Sequence, residues 1–91
     1  MADIDRGAKL EKLQKLYEAF QKKETEVRDL ISLLDGQAND SHGFWAGPGA
    51  NRFRDEWRDF KPQVNKLADS LHDAYKSAKN SHDRIEQATN V

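Results

Sequence analysis

The sequence predicts an all-α fold: an antiparallel helix-turn-helix hairpin that dimerises into a four-helix bundle. Three observations lead there. On both sides of Trp45-Ala46-Gly47, at the midpoint of the 91 residues, apolar side chains recur at steps of three and four, the spacing of a helix with one buried stripe. Neither half alternates apolar and polar residues as a strand would, and neither contains a low-complexity tract. Only 36% of the chain is hydrophobic while 34% is charged, which suits slender exposed helices and leaves too little apolar material for a large private core. A single helical-hairpin domain over residues 1–91 is the expectation.

In the first segment the stripe consists of Leu10, Leu13, Tyr17, Phe20, Glu24, Val27, Ile31, Leu34 and Ala38, a heptad seam whose one polar member is Glu24. A helix over about residues 8–39 would be ~48 Å long at ~1.5 Å per residue. Leu16 and Leu30 flank the seam and widen the stripe on one side. Gly36 is a candidate C-cap, but Ala38 keeps the register and argues for continuation.

The turn falls at about residues 40–47. Asn39, Asp40, Ser41, His42 and Gly43 supply turn formers, Phe44 and Trp45 supply bulk, and Gly47-Pro48-Gly49 supplies a sharp return. Gly47 permits a positive φ or a close backbone approach that a larger residue would block. Trp45 has two compatible readings. An indole can bury on the order of 150–250 Å² and so plug the end of the hairpin, and a partly exposed aromatic beside a cleft is also an anchor for a partner.

Pro48 fits the first helical position, where its missing N–H has no partner to lose, so the second helix should run from there to about residue 87. Its stripe is Ala50, Phe53, Trp57, Phe60, Val64, Leu67, Leu71, Ala74, Ala78, Ser81 and Ile85, bulky and aromatic at first, small or polar at the end. Pro62 removes the hydrogen bond to the carbonyl of Arg58 and should bend or loosen the helix locally. With the turn centred near residue 44, residue i falls opposite roughly residue 88 minus i. Glu24 then lies beside Val64 and near Pro62. Either it reaches outward or pairs with Lys61 or Lys66, or charge and kink together form a notch that seats the hairpin on its partner.

Leu13, Tyr17, Phe20, Val27, Ile31, Leu34, Phe53, Trp57, Phe60, Val64, Leu67 and Leu71 are the expected core of the hairpin or of its dimer. The bulky cluster of Tyr17, Phe20, Phe53, Trp57 and Phe60, with Leu16, Leu30 and Tyr75 beside the seam, asks for a second hairpin as cover. A homodimer is favoured over a heterodimer with a paralogue, because both halves are charge-balanced and demand no complementary mate.

Other function classes find little support. Residues 1–43 carry 7 basic and 9 acidic side chains, and residues 44–91 carry 8 and 7. No basic face stands out to neutralise a phosphate backbone, which argues against nucleic acid. With no cysteine there is neither a disulfide, nor a thiolate metal site, nor a cysteine nucleophile. His42, His72 and His82 do not stand one turn apart on one face, so no metal site is expected. Gly43, Gly47 and Gly49 lack the following Lys-Ser or Lys-Thr of a phosphate loop. No catalytic residue and no cofactor is expected. The polar start Met1-Ala2-Asp3-Ile4-Asp5-Arg6 and the lack of a long apolar run predict neither a cleaved signal peptide nor a membrane span.

Two long helices around a central Trp45-Ala46-Gly47, in a chain close to a hundred residues, resemble the WXG family of small type VII secretion substrates, the early secreted antigenic target-like proteins. The resemblance covers nearly the whole chain. It implies a hairpin that pairs with another into a four-helix bundle and is exported, without a cleaved leader, by a membrane ATPase complex. Family members often carry a Tyr followed four positions later by an acid near the C-terminus, as part of the export signal. Here Tyr75 is followed at that distance by Lys79. The nearest substitute is His82 with Glu86, one helical turn apart, whose plain alternative is a solvated charge pair. The resulting expectation is a secreted substrate or secretion partner that works by protein binding as a dimer. The alternative is an intracellular hairpin adaptor or coiled-coil scaffold.

Overall fold

A computed structural model describes residues 2–89, with side chains described for residues 7–88. Two helices account for almost all of it. Helix α1 spans Ala2–Asp40, a 3-10 turn spans Ser41–Gly43, and helix α2 spans Pro48–Thr89. The hairpin is a rod of 65 × 18 × 17 Å. Helix α1 begins several residues before the expected start near residue 8, because Gly7 weakens a helix without stopping it, and it also passes through Gly36.

The turn is closed by the backbone. The N–H groups of Phe44 and Trp45 both donate to the Ser41 carbonyl, at 3.2 and 2.8 Å, and the Gly47 carbonyl accepts the N–H of Asn51 at 3.0 Å. Gly47 has φ 107°, a conformation that opposes any residue with a Cβ. It lets the chain reverse directly into Pro48, which opens α2 as its pre-set φ favours. Helix α2 continues through Pro62. That residue is exposed, so the carbonyl it deprives of a donor can be hydrated.

The register departs from expectation. Glu24 meets His72, Arg28 meets Asp69, and Asp35 meets Lys61, which places residue i opposite roughly residue 96 minus i rather than 88 minus i. The cause is an overshoot at the turn. Ser41, just past the end of α1, faces Arg54, so the chain climbs beyond α1 and spends the first turns of α2 coming back. Glu24 therefore lies about 12 Å along α2 from the position predicted beside Val64, and the proposed notch between Glu24 and Pro62 does not form.

Every member of the α1 stripe from Leu10 to Ala38 is half-buried or buried. On α2 the predicted stripe is also half-buried or buried except at Phe60 and Leu67, and the line against α1 additionally takes in Arg54, Lys61, Ala68, Tyr75 and His82. Phe60 and Leu67, expected in the core of the hairpin or of its dimer, are not in the hairpin's core, being 51% and 52% exposed. Each sits one residue before an inward-facing position and is thereby rotated about 100° out of the contact. The interior is correspondingly thin. Ile31, Ala50 and Ala68 are its buried apolar residues, and no large side chain is fully buried among the described residues.

Ala68, with no exposed surface, lets the helices approach closely. Ala68→Leu should lower stability by ~1–3 kcal/mol through overpacking, measured by urea unfolding at high dilution, whereas Ala88→Leu on the exposed end of α2 should change it little.

Candidate functional site

The two flanks of the rod are chemically unlike. On one, Leu16, Leu30 and Leu33 of α1 and Phe60 and Leu67 of α2 are all exposed. Leu16, Leu30, Phe60 and Leu67 immediately precede Tyr17, Ile31, Lys61 and Ala68, which lie between the helices. An antiparallel helix pair has a local dyad perpendicular to its plane, and that operation keeps equivalent positions on the same face. Leu30, Leu33, Phe60 and Leu67, which share one level of the rod, therefore form one apolar patch, with Leu16 on the same flank two heptads away beyond the exposed Lys23. Leu33 lies outside the heptad seam and its flanking leucines, but it follows Leu30 by three residues, the spacing that shares a face.

The opposite flank is a charge lattice. Arg28 Nε donates to Glu24 Oε2 at 2.7 Å and Arg28 Nη2 donates to Asp69 Oδ1 at 3.2 Å. His72 Nδ1 lies 3.0 Å from the other oxygen of Glu24. Glu24 thus neither reaches outward nor pairs with Lys61 or Lys66; the shifted register gives it His72, and the next helical turn gives it Arg28. Arg28, reinforced by His72, holds the Glu24 carboxyl below its ordinary range in spite of partial desolvation. Nearer the turn, Asp35 accepts from Lys61 Nζ at 2.6 Å and from the indole Nε1–H of Trp57 at 2.8 Å. These two donors, Lys61 first, also hold the Asp35 carboxyl down.

At the turn, Trp45 and Phe44 stand outside the interhelical contact. The Trp45 ring lies 6.0 Å from that of Phe53, centroid to centroid, at 38°, and a Cβ on Gly49 would sit 3.8 Å from the indole. Trp45 remains 43% exposed and Phe44 79% exposed. The indole covers Phe53 and also presents an open face. Phe44, noted from the sequence only for its bulk, is the more exposed of the two.

The turn that carries Trp45 and Gly47 occupies the middle of a long match to a known family: the profile described as "WXG100: Proteins of 100 residues with WXG" matches residues 8–89. The chain belongs to the WXG100 family. This is the family of small type VII secretion substrates. No curated protein and no solved structure matches the chain. WXG100 proteins typically pair with partners in type VII secretion and are not known as enzymes. No helix among the described residues is long and apolar enough to cross a membrane.

The expected C-terminal pair of this WXG100 chain is split by the fold. His82 is 7% exposed and packs edge-on against Tyr17 with centroids 5.5 Å apart, while Glu86 is exposed. The two do not form a joint surface patch, because His82 falls on the line facing α1 and Glu86 does not. Tyr75 is also turned inward, 5.9 Å from Tyr17. Lys79, four residues on, is drawn to Asp83 at 3.2 Å.

A pH dependence follows from Glu24. Its folded-state pKa is depressed, so the unfolded chain takes up a proton first as pH falls. Stability is present above the ordinary value of 4.5 and is lost as pH drops through the lower folded-state value. Glu24→Gln should flatten the fall in Tm between about pH 5 and 3, read by circular dichroism.

Proposed function

We propose that this protein is a small type VII secretion substrate or secretion partner that acts by protein–protein binding, as a homodimer closed through its apolar flank into a four-helix bundle. The observation that carries the reading is the patch of Leu30, Leu33, Phe60 and Leu67, with Leu16 farther along the same flank, exposed on a hairpin whose own interior is thin. An exposed apolar patch on a slender rod marks an interaction surface, and helix pairs meeting on such patches form bundles. A paralogous WXG partner is the competing mate; the balanced charge of both halves favours a second copy.

In this reading the secretion ATPase recognises the Trp45–Gly47 turn of a folded dimer, and export proceeds without a cleaved leader to the extracellular space. Glu86 supplies the accessible part of a C-terminal signal, with His82 holding that segment of α2 on α1. No cofactor, metal or catalytic step takes part. Family membership over residues 8–89 supports this over an intracellular adaptor.

Light scattering should give a compact dimer at micromolar concentration. Leu30→Glu with Leu67→Glu should convert it to a monomer with at least a ~100-fold weaker association, since each charge would have to be buried unpaired. A wild-type chain that stays monomeric until a second protein is added would overturn the homodimer. Trp45→Ala should reduce the amount in culture medium by roughly tenfold, scored against a cytosolic lysis marker. Its Tm should fall by only a few degrees, because the indole is already half-solvated.

A further inference from the structure

We propose that Arg54 is a positioning residue that fixes the Trp45–Gly47 turn in its recognisable shape; the proposal rests on that turn being the element read in export. Arg54 reaches back from α2 across the turn. Its Nε donates to Ser41 Oγ at 2.9 Å, its Nη2 donates to the Trp45 carbonyl, and its Nη1 donates to Asn51 Oδ1 at 3.4 Å. Ser41 is itself held, because its hydroxyl donates to the Ala38 carbonyl at 2.7 Å and its carbonyl receives the N–H groups of Phe44 and Trp45. One guanidinium thus ties the end of α1, the Trp45 peptide and the first turn of α2 together.

Sterics alone cannot hold this shape. Gly47 is free of side-chain restraint, and a Cβ added there would meet nothing within 4 Å. Backbone hydrogen bonds anchor Phe44 and Trp45 through their N–H groups only. Among the described residues, the Trp45 carbonyl has Arg54 as its hydrogen-bond donor. Without it, the peptide between Trp45 and Ala46 can rotate next to an unrestrained glycine, and the indole leaves Phe53. Most of the helix pairing lies away from this contact, since Glu24–His72, Arg28–Asp69 and the α1 stripe from Leu10 to Leu34 are farther along the rod. Only a forked, rigid cation reaches both oxygens at once; a lysine is a single point charge on a flexible stem.

The test compares wild type, Arg54→Lys, Arg54→Gln and Trp45→Ala by amide hydrogen exchange on the purified proteins and by secretion from a host with a type VII system. In Arg54→Lys and Arg54→Gln, exchange at Trp45 should accelerate roughly tenfold or more through local opening, with Ile31 and Ala68 unchanged. Secretion of both should drop several-fold although Trp45 is intact. Acceleration spread over the helices would make Arg54 a general fold residue and overturn the proposal. Exchange or secretion unchanged in both variants, while Trp45→Ala is blocked, would overturn Arg54 alone. Normal secretion of Trp45→Ala would overturn the recognition reading itself, and the positioning role with it.

Discussion

Two helices packed only on each other share a single line of contact, and this constraint governs the rest of the molecule. In a rod 18 × 17 Å in cross-section, a side chain is either on that line, beside it or in solvent. Most α1 stripe residues are consequently shielded without being fully buried, and the fully enclosed positions go to small residues such as Ala50 and Ala68. Burial is the dominant favourable term in folding, so a hairpin with so little of it gains from whatever covers its flank.

The asymmetry of the flanks follows from what the contact line leaves over. Near the middle of the rod, positions one residue before the line carry Leu30, Leu33, Phe60 and Leu67, while the other flank collects Arg28, Asp35, Asp69 and His72, which bond across the helices. Surface ion pairs contribute little individually. Their geometric role is larger here, because Asp35 with Lys61 and Glu24 with His72 oppose sliding of one helix past the other. An apolar seam with a repeating heptad tolerates such slippage; matched charges at fixed levels do not.

The sequence disclosed some of this readily. The α1 seam was readable because nine positions from Leu10 to Ala38 keep one rhythm, and Pro48 marked the start of α2 because its chemistry favours one site in a helix. The α2 contact line was not readable in the same way. Its apolar face is broader than one stripe, and Phe60 and Leu67 fit a heptad as well as Lys61 and Ala68 fit the true line. Choosing between them requires the register, and the register depends on how far the turn overshoots α1, which no local pattern encodes. The same gap hid the partners of Glu24 and Asp35, the inward rotation of His82, and the role of Arg54, whose contacts span the turn. Trp45 and Gly47, by contrast, stood out because the turn interrupts both seams.

The two tryptophans sit in opposite surroundings. The Trp57 indole is half-buried between the helices and donates to the Asp35 carboxylate, whereas Trp45 lies at the tip with much of its ring in water. These are the only indoles in the chain, so its ultraviolet emission has two separable sources. Iodide or acrylamide quenches the tip first, and loss of the shielded component reports separation of the rods. The unlabelled protein thereby carries an optical gauge for each event.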